Sequence, residues 1–314
     1  MGRVRLAFAA AAGTGLLAAC QPASTPAPQP PGRPVSSTPT AALAPSADSQ
    51  RARAYYARVQ ANLLSQGLLR TDGGSADTPF TTEQLVENFE RIALFDEYVA
   101  DNGSLVARTT ASPLRRWEKP IRMGIEFGPS VSPAQAARDR GNITAYATRL
   151  ARLTGRPITV GDARPNFSIL FLNEDERRAA GPRLAELVPG IDATAVAAIT
   201  EMPPSTYCLV FAFSVGPAAA YTQAVAVVRA EHPDLLRLSC IHEELAQGLG
   251  LANDSPSARP SIFNDDEEFA LLTRQDELML RILYDRRLKP GMTADEARPI
   301  VERIAAELIA GGSG

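Results

Sequence analysis

The residues of this chain whose types and spacing could do chemistry are concentrated in one run, Cys240-Ile241-His242-Glu243-Glu244-Leu245-Ala246-Gln247-Gly248-Leu249-Gly250-Leu251-Ala252-Asn253-Asp254. Helical spacing places Leu238, Ile241, Leu245 and Leu249 on one face, which predicts packing into a core. Glu243 and Gln247, four apart, then stand one above the other on the opposite side. Gly250 lets the chain leave the helix sharply and brings Asn253 or Asp254 back toward them. Acid and amide oxygens so gathered form a polar cleft. Amide carbonyls are hard, neutral donors that hold Zn²⁺ poorly and suit Ca²⁺ or Mg²⁺ somewhat better. The chain has two histidines, His232 and His242, so a three-histidine metal site within it is excluded by count.

Positioning these groups requires a sheet and several helices. Ala52, Tyr55, Tyr56, Val59, Leu63 and Leu64 predict a helix over Arg51 to Leu69, and Asp72-Gly73-Gly74 a turn. Thr81 or Thr82 caps a second helix, whose apolar stripe is Leu85, Phe89, Ile92, Phe95 and Val99. Alternation from Pro120 to Phe127 predicts a half-buried strand. A helix follows from Pro133 to Leu153, ending at Gly155. Phe167 to Leu172 is a continuous apolar run, a buried strand. Thr206 to Ser214 and Tyr221 to Arg229 read as a hairpin or neighbouring strands. Helices are expected over Pro233 to Gly250, from the cap Thr273 to about Tyr284, and over Ala294 to Ala310. The fold class is α+β, a mixed sheet with one motif helix, preceded by a short helical segment.

The motif run resembles the metzincin metallopeptidases, whose pattern is His-Glu-x-x-His-x-x-Gly-x-x-His/Asp. The same frame here is Glu243-Glu244-x-x-Gln247-x-x-Gly250-x-x-Asn253. The resemblance implies Glu244 as general base, Gly250 as the bend, and Glu243, Gln247 and Asn253 at the three ligand positions, with Asp254 alongside. All three ligand types differ from the pattern. A frame starting at His242-Glu243 fails because Ala246 would be its second ligand. Ser261-Ile262-Phe263-Asn264 lies where metzincins make their methionine turn, and Leu272-Thr273-Arg274-Gln275-Asp276 with Leu283-Tyr284 is similar to the helix after it. The likeness covers about Leu114 to Tyr284. It also resembles a family of uncharacterised proteobacterial lipoproteins with a Glu-Glu-x-x-Gln-x-x-Gly-Leu-x-Asn-Asp signature. It implies a metzincin-like domain that has lost zinc-peptidase activity and serves as an envelope binding or scaffold module. The alternative is an atypical metal-dependent hydrolase using Glu244 as base. No cofactor is expected and no metal ligand set is assigned, with a divalent cation as the minor alternative.

The ends of the chain give an address. Arg3 and Arg5, an apolar stretch from Leu6 to Ala12 and Leu17-Ala18-Ala19-Cys20 have the layout of a lipoprotein signal peptide over residues 1–19. Cys20 supplies the only thiol there for lipidation. Several acyl chains on it would anchor the chain stably, and Gln21 favours the outer membrane, facing the periplasm. Eight prolines between Gln21 and Asp48 make residues 20–48 an extended tether. Residues 49–111 form the N-terminal helical segment and 112–314 the metzincin-like domain with its C-terminal helices. Cys208 and Cys240 are then an even pair in an oxidising compartment, which predicts a disulfide. A Cys240 thiolate activated by His242 is the rival, but side chains two apart on a helix diverge. His232 is expected in a surface loop, and Asp254, Asn264, Asp265 and Asp266 as a solvated acidic loop.

The 314 residues are 45% hydrophobic and 21% charged with a net charge of -3, enough apolar content for a core and no basic stripe for nucleic acid. The partners expected are therefore the membrane, through the lipid anchor, and a peptide or envelope protein.

Overall fold

The computed structural model describes residues 44–311 apart from 75, 76, 102, 103, 162 and 215–218. The leader, Cys20 and nearly all of the tether lie outside the described residues. Among these residues no helix is long and apolar enough to cross a membrane.

Helix α1 (Ala47–Ser65) starts at the cap Ser46, and α2 (Thr82–Ala93) at a capping box of Thr81 and Gln84. The predicted second helix stops short of Val99. Its stripe is buried through Leu85, Phe89 and Ile92, but Phe95 opens strand β1 (Phe95–Asp101), which runs antiparallel to β2 (Ser104–Ala111). The partner strand β2 supplies cross-strand hydrogen bonds that replace continuation of the helix. A register irregularity between Asp96 and Tyr98 locally rearranges the strand at Asp96 and Glu97.

The main sheet comprises β3 (Arg116–Trp117), β4 (Ile121–Phe127), β5 (Ile158–Val160), β6 (Phe167–Leu172), β7 (Cys208–Ser214) and β8 (Ala220–Arg229). Its path is β3-β8-β6-β4-β5, all parallel, with β7 antiparallel on β8 as an edge. Helix α3 (Pro133–Thr154), capped by Ser132 and closed by Gly155 at φ 64°, crosses between β4 and β5. The short helices α4 (Glu174–Arg178), α5 (Gly181–Leu187) and α6 (Ala193–Thr200) fill the connection from β6 to β7.

The unbroken apolar run of β6 follows from cover on both faces. Phe167, Ile169 and Phe171 join Ala224, Ala226 and Val228 against α3 and the motif helix. Leu170 joins Val225 and Val227 against Leu184 and Ile199 of α5 and α6. The motif helix is α7 (Asp234–Gln247), followed by an irregular stretch, α8 (Arg274–Leu283) and α9 (Ala294–Gly311). In α7, Ile241 and Leu245 enter the core as expected, with Leu249 just beyond, whereas Leu238 is half-buried and outside it.

Candidate functional site: an acidic cleft beside an edge strand

Gly250, three residues past the end of the motif helix, takes φ +121°, and a Cβ there would lie 2.3 Å from the Arg115 carbonyl oxygen. No other residue type fits so close a backbone approach. The last carbonyls of the motif turn are taken up by distant donors: Trp117 Nε1 donates to Gly248 O at 2.8 Å, and the Tyr284 hydroxyl to Leu249 O at 2.9 Å. The bend is thus fixed by long-range contacts, and it sends the chain back along the cleft.

Here the two candidates after the bend part company. Asn253 does not face the cleft. Its backbone N–H donates to Ile92 O at 3.0 Å and its side-chain amide to Arg91 O at 2.7 Å, so it caps the C-terminal end of α2. Asp254 turns the other way and accepts from Gln247 Nε2 at 3.0 Å. The ligand position expected at Asn253 is therefore corrected to a structural one, and Asp254 takes its place beside Glu243, Glu244 and Gln247.

These four line a cavity of about 710 Å³ between α7 and β7. Its wall includes every residue from Ser205 to Phe213, so the cleft runs along the edge strand. Nine acidic side chains line it: Glu243, Glu244 and Asp254 on the floor, with Asp96, Glu97, Asp192, Asp265, Asp266 and Glu267 around them. Arg115 is the one basic side chain among them, and it is held in a two-pronged pair with Asp96 at 2.9 Å. The expected solvated acidic loop is thus divided. Asp265 and Asp266 are exposed, Asn264 is buried, and Asp254 lines the floor.

Burial, reinforced by mutual repulsion, pushes Glu243, Glu244 and Asp254 well above the ordinary carboxylate range. The same causes raise Glu267 to about 7. Glu244 is only 3% exposed and its Oε2 has no hydrogen-bond partner. A buried oxygen left without a donor is costly unless something else satisfies it.

The disulfide predicted from the cysteine count is present: Cys208, the first residue of β7, is bonded to Cys240 in the middle of α7, with Cα atoms 5.8 Å apart. It clamps the edge strand to the helix beside Glu243, whose Oε2 lies 3.9 Å from Cys208 Sγ. Glu243, Glu244 and that sulfur lie within 4.8 Å of one another, but a disulfide sulfur is no thiolate ligand. Neither imidazole approaches. His242 Nδ1 accepts from Leu272 N at 3.1 Å, and its ring stacks on Tyr146 at 3.9 Å. Burial lowers its pKa to about 3. His232 is 4% exposed and lies against Tyr56 at 4.4 Å, which corrects the surface-loop expectation. Helix α1 covers it, a contact no local pattern announces. The cleft floor thus offers three carboxylates and an amide that is already bonded to one of them, with neither imidazole nor thiolate, a donor set unlike the His-containing ones of catalytic zinc sites.

Sequence reading missed Asp96, Glu97, Asp192 and Glu267. Acidic residues in loops and at strand starts are common, and only the fold gathers these.

Fold and site together define a mixed α+β domain whose motif helix and edge strand enclose an acidic cleft. The chain belongs to the family described as "Protein of unknown function (DUF2927)", whose model matches residues 82–303. No curated protein matches it.

Proposed function

We propose that this chain is a lipid-anchored envelope protein whose DUF2927 domain is a metzincin-shaped binding module without zinc-peptidase activity, and that its cleft receives an extended segment bearing basic side chains. The observation that carries this reading is the cleft itself: an acid-lined groove that follows β7, which among the described residues pairs only with β8. An edge strand offers main-chain partners to an added strand, and flanking carboxylates select for Lys or Arg. The strand order, the antiparallel edge beside the motif helix and the Gly250 bend support metzincin ancestry. The absence of imidazoles from the cleft supports loss of the peptidase chemistry.

A labelled peptide alternating Lys and Val, titrated against the full chain and read by fluorescence anisotropy, tests the cleft. Binding is expected to weaken as salt rises and to fall about tenfold in D265N/D266N, while mass spectrometry finds the peptide intact. Cleavage that needs a divalent ion and disappears in E244Q would establish the hydrolase alternative instead. For the anchor, Cys20→Ala is expected to move the chain from the membrane to the soluble fraction of the cell envelope.

A further inference from the structure

At the opposite end of α7 lies a second cavity, of about 360 Å³, bounded by α1, the start of α3 and the start of α7. Three side-chain atoms in residues of its wall are buried with no hydrogen-bond partner: Glu231 Oε2, His232 Nε2 and Arg237 Nε. The three residues are 2%, 4% and 4% exposed. Their other polar atoms are engaged. Glu231 Oε1 accepts from the Ser49 hydroxyl and from Glu174 N, both at 2.7 Å. Arg237 donates to Asp139 at 3.2 Å and to Ala230 O at 2.7 Å, and His232 Nδ1 lies 3.7 Å from Cys240 Sγ. Unsatisfied buried groups are rare enough that each needs an explanation, and three of mixed sign in one wall point to a ligand of mixed sign.

The surroundings sort the charges. Exposed Arg53, on α1, lines the cavity with Arg237. Ser132 and Pro233, the cap residues of the 22-residue α3 and 14-residue α7, also line it, and Pro233 provides no side-chain cap. Gln60 Oε1 already accepts from Leu236 N at the start of α7, at 3.0 Å, and Ser132 Oγ from Gln135 N at the start of α3, at 3.2 Å, so the anion-favouring groups are the two guanidinium groups, with the positive end of the α3 dipole beside them. Glu231 contributes the one carboxylate of this wall. The volume falls in the range of small-molecule sites.

We propose that this cavity binds a free amino acid or a molecule of that type, its carboxylate toward Arg53 and Arg237 and its ammonium toward Glu231. His232 Nε2 supplies a further polar contact. The site is independent of the acidic cleft and stands whether or not that cleft binds peptides.

A panel of L-amino acids screened against the full chain by thermal shift, followed by calorimetry on those that raise Tm, tests this. Saturable binding is expected for at least one. Arg53→Ala, a change on an exposed position, should weaken it about tenfold, as loss of a charge-assisted contact does. Glu231→Gln should weaken it too, with circular dichroism confirming that each variant is folded. Glu244→Gln should leave it unchanged. The proposal is overturned if no member of the panel binds saturably, which would leave ordered water as the partner of the three atoms. It is also overturned if the matching carboxylic acid without the amine binds as tightly, or if Arg53→Ala has no effect.

Discussion

Asp276 and Glu244 are both carboxylates withdrawn from water, and the molecule treats them in opposite ways. Asp276, wholly buried near the start of α8, accepts from the Ser261 hydroxyl at 2.6 Å, Ile262 N at 3.1 Å and Thr273 N at 2.8 Å. Burial raises it to about 6, and those donors lower it, so its rise is smaller than that of the cleft acids. Glu244 is nearly as buried, with an oxygen that lacks a donor and acids for neighbours. A carboxylate whose lone pairs are filled by its own chain ties elements together. One whose lone pairs are left empty ties nothing together and costs stability.

That contrast breaks most sharply at Asp276. Asp276→Ala leaves several buried donors unpaired and is expected to cost about 3–5 kcal/mol, read from urea unfolding. A loss of less than about 1 kcal/mol there would mean that the network around α8 contributes little. The disulfide comes next. C208S/C240S closes no loop in the unfolded chain and is expected to lose about 2–4 kcal/mol. It should also loosen β7 from α7, seen as faster amide exchange in that strand.

Glu244→Gln is smaller in stability and larger in function. Removing a buried, repelled acid is expected to change stability by less than about 1 kcal/mol, or to raise it, while weakening cation and basic-peptide binding in the cleft. A large destabilisation would place Glu244 with Asp276, as scaffold. The gentlest test is pH. Glu267 has a folded pKa of about 7, above the ordinary carboxylate value of 4.5, so between those values the native state holds more protons than the unfolded one. Stability from this group is present below about pH 4.5 and is lost as pH rises through about 7. The Tm should decline over that window in the wild type and decline less in Glu267→Gln, while basic-peptide binding strengthens with the same titration.

Much of the scaffold was legible because it depends on neighbours in sequence. The apolar run of β6, the cap Thr273, the stop at Gly155 and the bend at Gly250 all appear where spacing and residue type put them, and of the two threonines offered for the second helix Thr81 is the cap. The second helix was overextended because a stripe continuing past Leu94 carries no sign that Phe95 pairs with Ala111. His232 was misplaced for a related reason: a histidine before a proline looks like loop, and α1, far away in sequence, buries it.

The sequence by itself determined that no three-histidine metal centre could form within the chain, that Cys208 and Cys240 were available to pair, and that a helix would carry Glu243, Glu244 and Gln247 to one place. Count and helical period suffice for such statements. Only the tertiary structure decided between Asn253 and Asp254, gathered six further acids around the cleft floor, and opened a cavity of mixed charge at the other end of the same helix. The reason is reach. The side-chain amide that turns Asn253 away from the cleft finds its partner at Arg91, 162 residues earlier, and no local pattern encodes a contact across that distance.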